Sequence, residues 1–346
     1  MSKKRKSGRI PWVMAGLFLL SVLAVAATCF YRMFRRPNYT ASHAYTLLIY
    51  PGDGTDKVLA CLQDSLARPG ELSRMFRLTG VGSPLHSGHY TVRPGMSSYA
   101  VANMLKNGLQ TPVKIRFNNV RTLEQLSGLL QHQVMLDSLQ LLEAFHSPAL
   151  LDSMGFNSQT LPALFIPDTY EVWWNASPER LMKTFVRAYR NYWNQERLDK
   201  AAHLSLTPIE VSILASIVEE ETNRVDEWPV IAGLYLNRLR RNMHLQACPT
   251  IKYALGDFSL QRILKVHTSV ESDYNTYTRL GLPPGPIRIP SVAVLEAVLN
   301  AEENNYLYMC AKDDFSGSHY FSSTLAQHNR YAERYHQALN RRRIYR

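Results

Sequence analysis

Three consecutive glutamates, Glu219, Glu220 and Glu221, close an otherwise apolar stretch, SLTPIEVSILASIVEEETN at residues 205–223. Thr207-Pro208-Ile209-Glu210 has the form of a capping box with proline at the first helical position, so the stretch predicts a helix. At about 100° per residue, Glu221 falls in line with Leu214, Ile217 and Val218, while Glu219 and Glu220 turn away from that stripe. A carboxyl on an apolar face is partly desolvated, which disfavours its charged form and raises its pKa. Held protonated near neutral pH, it can give a proton to a departing oxygen, as the acids of glycosidases do. The same periodicity allows a second arrangement. Glu221 then lies past the last apolar turn and emerges into solvent or pairs with Arg224 or Arg238.

The elements that must position this helix follow from local pattern. Tyr45–Tyr50 reads as a strand, Asp56–Ala67 as a helix and His89–Val92 as a strand. Met96-Ser97-Ser98 opens a helix through Leu105, with Gly108 as its C-cap. Val113–Phe117 reads as a further strand, and Thr122 starts a helix with Leu123, Leu126 and Leu130 on one face. From about 120 to 245 the pattern is mainly helical. Ser177-Pro178-Glu179 marks one start, followed by Leu181, Phe185, Tyr189 and Tyr192 at helical spacing, as core residues recur. Beyond 245 come short apolar and tyrosine-rich pieces: a rigid loop at Leu282–Pro286, a short helix at Ser291–Asn300, and strands at Tyr306–Ala311 and His319–Ser322. The reading is therefore α+β.

The 346 residues suffice for two domains with their own cores, and a composition 46% hydrophobic and 10% aromatic is that of a globular chain. The net charge of +11 has one source: residues 1–36 hold eight basic residues and no acid, which leaves +3 for the other 310. A nucleic-acid partner is not expected from so local an excess. Between Arg9 and Arg32, the uncharged run Ile10–Tyr31 is long enough, as a helix, to cross a bilayer. The basic cluster before it predicts a cytoplasmic N-terminus and an exported body. A cleaved signal peptide is the rival reading, since Ala24-Val25-Ala26 has the small-x-small pattern. The length of the run and its Phe30-Tyr31-Arg32 ending favour an anchor retained in the membrane. Cys61, Cys248 and Cys310 are too scattered for a disulfide framework or a zinc site, and read as small buried hydrophobes. His319 and His328 lack ligand spacing, so neither a metal nor a cofactor is expected.

Several long segments, in order, resemble one family, the YceG-like (MltG) endolytic murein transglycosylases. LASIVEEET (Leu214–Thr222) is similar to its signature, and FIPDTYEV (Phe165–Val172) to its W-P-D-T segment. NRLRRNMHLQACPTIKYALG (Asn237–Gly256), YNTYTRLGLPPGPI (Tyr274–Ile287) and HYFSSTLAQHN (His319–Asn329) complete the set, over about 160–330. SGHYTVRPGMSSYAVANML resembles part of the family's LysM-like subdomain. Two positions depart: Cys248 stands where the family has Asp, and Ile289 where it has Asn.

Charge and pattern give a cytoplasmic tail at 1–9, a transmembrane anchor at 10–31 and a polar stalk at 32–43, and the resemblance implies a LysM-like subdomain at 44–118 and a transglycosylase domain at 119–346. It implies cleavage of the β-1,4 bond between N-acetylmuramic acid and N-acetylglucosamine inside peptidoglycan strands. The products would be 1,6-anhydro ends, made near membrane-bound synthases whose nascent strands it would terminate. Glu221 would be the catalytic group, with Asp168, Gln246, Tyr253, Asn275 and Tyr277 as substrate-binding candidates in the matched segments. Loop and turn structure is an equal account of the last four, and Asn275 suits an Asx-turn. Two other functions stay open: a peptidoglycan-binding scaffold without activity, and a hydrolase with Asp168 as its second carboxylate.

Overall fold

The computed structural model describes residues 10–260 and 262–342. The expected cytoplasmic tail, 1–9, lies outside the described residues. The chain divides into two compact units, Met1–Val113 with Trp173–Asn175, and Lys114–Val172 with Ala176–Arg346.

The first unit opens with α1 (Ile10–Phe30), which runs on into a π turn, Tyr31–Arg35. The helical span Trp12–Arg35 is 24 residues long and contains an 18-residue window of mean hydropathy 2.4 that is nowhere buried, so it is long and apolar enough to cross a membrane. There follow β1 (Tyr45–Ile49), α2 (Thr55–Leu62), α3 (Pro69–Thr79), β2 (Gly88–Val92) and α4 (Ser98–Lys106). β1 and β2 pair antiparallel, Tyr45 opposite Val92 and Ile49 opposite Gly88. The strand period of two turns Leu47, Ile49, Tyr90 and Val92 inward, against Val58, Leu62, Leu72 and Leu105. The helix expected over Asp56–Ala67 stops at Leu62, and a short 3-10 turn at Gln63–Ser65 carries the chain to Pro69. Pro69 begins α3, whose end is fixed by Gly80 in the left-handed region at φ 65°.

The second unit is mixed α+β. β3 (Val113–Arg116) pairs with β4 (Thr169–Val172), and between them lie α5 (Leu123–Leu130), α6 (Ser138–His146) and α7 (Pro148–Met154). α8 (Pro178–Tyr192) and α9 (Gln195–His203) lead to α10 (Pro208–Glu221), α11 (Trp228–Arg240), α12 (Cys248–Leu255) and α13 (Val292–Leu299). The antiparallel hairpin β5 (Tyr308–Ala311) and β6 (His319–Ser322) precedes α14 (Leu325–Arg341).

α10 is the axis of this unit. Thr207 and Glu210 form the reciprocal capping box with Pro208 at the first helical position, and every residue from Val211 to Val218 is buried. α11, α12 and α13 pack around it. It is therefore enclosed on all sides, not along one apolar stripe as the periodicity suggested. The two serines inside it are satisfied: Ser212 Oγ donates to the Pro208 carbonyl, and Ser216 Oγ donates to that of Ile213 while accepting the Ile287 N–H.

α11 lies so close to the segment 302–306 that a Cβ on Gly233 would sit 2.2 Å from the Glu302 carbonyl oxygen and 2.6 Å from Asn304 Nδ2. Replacing an exposed helical glycine by alanine stabilises by about 1 kcal/mol. At Gly233 the sign should reverse: Gly233→Ala should destabilise by about 1–3 kcal/mol, read as a lower urea midpoint with an unchanged slope.

Candidate active site

The glutamates that end α10 differ in their partners. Glu220 accepts two hydrogen bonds from Arg121 Nη2, at 2.8 and 2.9 Å, and one from Arg288 Nη1 at 2.8 Å. Glu219 accepts the Ser291 N–H at 3.1 Å and pairs with Arg288 Nε at 3.2 Å. Both side chains are largely buried, at 11% and 15% exposure for Glu219 and Glu220. Among the described residues Glu221 has no ion pair; its Oε1 accepts the phenol of Tyr235 at 2.6 Å. Neither alternative partner engages it: Arg224 pairs with Asp226, and Arg238 donates to backbone carbonyls of His244, Leu245 and Leu307. All three glutamates are thus turned into protein. What singles out Glu221 is the lack of a cation, not its angle on the helix.

Burial pushes the Glu221 carboxyl above the ordinary glutamate value. The Tyr235 hydrogen bond and the charges of His319, Arg238 and Lys252 act the other way and do not overcome it. The backbone after Glu221 is pinned. Thr222 turns extended, and its carbonyl accepts the Trp228 indole N–H at 3.0 Å.

Glu221 faces a cavity of about 390 Å³. Tyr235 and Arg238 reach it from α11, three residues apart and so on one face. Gln246 and Cys248 enter from the loop into α12, Tyr277 from the loop beyond, and Tyr308, His319 and His328 from the hairpin and α14. Glu227, itself buried, accepts both the His319 N–H and its ring Nδ1, each at 2.7 Å. That bond places the imidazole proton on Nδ1 and leaves Nε2 as an acceptor when the ring is neutral. His328 stacks on Tyr308 at 5.4 Å, and its Nδ1 is buried without a partner. Glu221 is the one carboxylate among the described residues that line this cavity.

Against this geometry stand the comparisons. The sequence profile of the YceG-like family matches residues 47–334. The chain belongs to the YceG-like family. A Bacillus subtilis (strain 168) protein named endolytic murein transglycosylase is 34% identical over 157 residues, which are 45% of this chain and 41% of that protein. A protein of the same name from Streptococcus pneumoniae (strain D39) is 30% identical over 203 residues, 56% of this chain and 36% of that one. The match thus spans about two fifths of the relatives' length. The crystal structure of a yceG-like protein from Listeria monocytogenes superposes with a TM-score of 0.54 at 26% identity, over 84% of this chain and 99% of that one.

Within the family fold, the residues expected to bind substrate separate. Gln246 and Tyr277 line the cavity with Glu221. Gln246 holds the left-handed φ of 50°, with its N–H on the Thr276 carbonyl. Asn275 is fully buried outside the lining: its Oδ1 accepts the Tyr277 N–H in an Asx-turn, and its Nδ2 donates to the Thr268 and Val270 carbonyls. It shapes the loop that carries Tyr277. Tyr253 packs at 4.7 Å on Tyr274, also outside the lining. Asp168 borders a separate cavity of about 620 Å³, with Arg187 and Tyr192.

Cys248, expected as a small buried hydrophobe, is exposed, because as the first residue of α12 it stands at the cavity's edge. Cys61 and Cys310 are half-buried. The Cys248 Sγ lies 3.2 Å from the Tyr277 hydroxyl, and the surrounding walls push the thiol's pKa up, which suits no nucleophile. Ile289, the other departure from the family pattern, is buried in the core. Among the described residues no cluster of three His, Cys, Asp or Glu could hold a metal ion. Tyr235, Arg238, His319 and His328 went unread as site residues. The signal for the first two was a tyrosine and an arginine three apart on the apolar helix WPVIAGLYLNRLR.

A raised carboxyl pKa opposes folding once the group must ionise. Below the unfolded value, near 4.5, both states hold the proton and nothing is lost; as pH rises through the higher folded value, stability falls. Glu221→Gln should therefore stabilise the protein at neutral pH by about 0.5–2 kcal/mol. The gain should shrink toward zero as pH approaches 4, followed by thermal unfolding across a pH series.

Proposed function

We propose that this protein is an endolytic peptidoglycan transglycosylase and that Glu221 is its catalytic acid and base. The observation that carries the reading is the desolvated carboxyl of Glu221, paired with no cation among the described residues, on a cavity lined by phenols, imidazoles, an amide, thiols, apolar groups and a guanidinium, Arg238, that is held by backbone carbonyls. The names of the relatives support the substrate class.

On this reading Glu221, protonated, gives its proton to the glycosidic oxygen as the β-1,4 bond between N-acetylmuramic acid and N-acetylglucosamine breaks inside a strand. The carboxylate left behind takes the proton from the muramyl 6-hydroxyl as that oxygen closes on the anomeric carbon, giving a 1,6-anhydro end. Glycosidases that use water or a covalent intermediate need a second carboxyl within about 5–9.5 Å of the first. No second carboxylate lines this cavity among the described residues, which favours a nucleophile supplied by the substrate. Intramolecular attack has the high effective concentration that compensates for the missing group. Tyr235 steadies the carboxylate form after the first transfer, and Gln246, Tyr277 and the Nε2 of His319 are the groups available to sugar hydroxyls and acetamides.

We assign α1 as a single-pass anchor in the cytoplasmic membrane with the second unit exported, close to the synthases whose strands it would end. The strand–helix–helix–strand order of residues 45–92 supports a LysM-like, glycan-binding role for the first unit.

The full-length protein should convert purified glycan strands to ends one water lighter than hydrolysed ends, detected by mass spectrometry. Glu221→Gln should lower turnover by about 100-fold or more while remaining folded. Ordinary reducing ends, or undiminished turnover in Glu221→Gln, would overturn the assignment. Because Glu221 must be protonated to begin, activity should fall as pH rises through its raised pKa. Tyr235→Phe removes a bond that favours the carboxylate, so its descending limb should move to higher pH.

A further inference from the structure

We propose that the first unit binds the headgroup of an anionic phospholipid in a cavity at the end of its apolar helix, with Arg35 and Arg93 on the phosphate. The proposal rests on the reading of α1 as a membrane anchor and is independent of the glycan chemistry. A bilayer's hydrocarbon core takes up about 20 helical residues, so the last turns of the 24-residue segment reach headgroup level. There Phe30 and Tyr31 are exposed, as rings of an interfacial belt are.

The helix does not end free. Its π turn brings the Phe34 ring edge-on to Tyr99 at 4.7 Å, while the Ser97 hydroxyl donates to the Phe34 carbonyl at 2.7 Å and Pro37 bridges to Ser97. Beside this junction lies a cavity of about 800 Å³. Arg35 enters its lining from the π turn and Arg93 from the turn after β2. Neither is in an ion pair among the described residues, and no Asp or Glu lines the space. Asn103 and Thr111 add neutral polar groups, and Phe34 and Met104 an apolar wall.

That combination matches one kind of molecule already beside the helix. Two guanidiniums suit a phosphodiester, the amide and hydroxyl suit a glycerol, and the apolar wall suits the first methylenes of the chains. The volume lies in the range of small-molecule sites and exceeds what a bare phosphate ion fills. A zwitterionic headgroup would bring its own cation toward the same arginines, so a net negative lipid is preferred.

Native mass spectrometry of the full chain in detergent micelles, titrated with phosphatidylglycerol or phosphatidylcholine, tests this. Phosphatidylglycerol should bind more tightly. R35Q/R93Q should lose affinity by about fivefold for each arginine. R32Q/R36Q removes the same charge from neighbours outside the lining and should keep it. Both arginines of the site are exposed and unpaired, so folding should not suffer, and circular dichroism checks this. Equal loss in the two double variants would mean a diffuse basic patch and would overturn the proposal, as would equal affinity for the two lipids. Displacement by millimolar inorganic phosphate would reduce the cavity to a general anion site and equally sink the lipid assignment. Loss of glycan cleavage in any variant bears on the proposed enzyme activity and not on this site.

Discussion

Ionisable groups at the end of a buried helix must either meet an opposite charge or change their protonation. α10 shows both outcomes within three residues. Glu219 and Glu220 are enclosed by protein and held by Arg288 and Arg121, which compensate their desolvation. Glu221 faces the cavity with only a neutral phenol, so its carboxyl keeps the proton more readily. Arg238, which lines the same cavity, is held by the backbone carbonyls of His244, Leu245 and Leu307, so among the described residues no cation pairs with the third acid. The site therefore depends on a pairing pattern that spans the chain, from Arg121 before α5 to Arg288 before α13.

One wall of the cavity, which carries Gln246 and Tyr277, is built from irregular chain, and its precision comes from buried hydrogen bonds. The Thr276 hydroxyl accepts the Ala247 N–H at 3.0 Å and meets Thr250 Oγ1 at 2.9 Å, while its carbonyl accepts the Gln246 N–H. The loops of Gln246 and Tyr277 are thereby joined to each other and to the start of α12. Arg238 serves the opposite wall, tying the Leu245 and Leu307 carbonyls together while stacking over Tyr308 at 5.5 Å. Such satisfied networks hold loops as firmly as regular structure does. They also explain why Asn275, a polar residue in a matched loop, works as a brace.

Legibility in the sequence followed the range of the forces involved. The start of α10 was readable because a capping box and N1 proline are local, and β6, a short aromatic run after the turn-former Gly317, has its expected bounds. α3 has no expected counterpart between the helix read at Asp56–Ala67 and the strand at His89–Val92, although Pro69 is suited to a first helical position. The periodicity of α10 pointed to Glu221, but by an argument that holds only for a helix with one wet side. The enclosure by α11, α12 and α13 and the two arginine partners are tertiary facts with no trace in a helical wheel. His319 was equally hidden, since its partner Glu227 lies 92 positions away.

A site with one carboxyl constrains the chemistry more than one with two. A single group can act as acid and then base only if the atom it deprotonates arrives where the leaving oxygen was just protonated. Water has no reason to wait there, whereas a hydroxyl carried on the same sugar ring is delivered by the ring's own geometry. On the proposed reading, the protein's remaining task is to hold the ring, which requires fixed hydrogen-bonding groups more than further acids. A cavity walled by Tyr277, Gln246 and a Glu227-oriented His319, with its one acid at a pinned helix end, is arranged for holding. On the proposed reading, the same economy explains why no cation is paired with Glu221 among the described residues. A guanidinium bound to Glu221 would stabilise the carboxylate so strongly that the first proton could not be given.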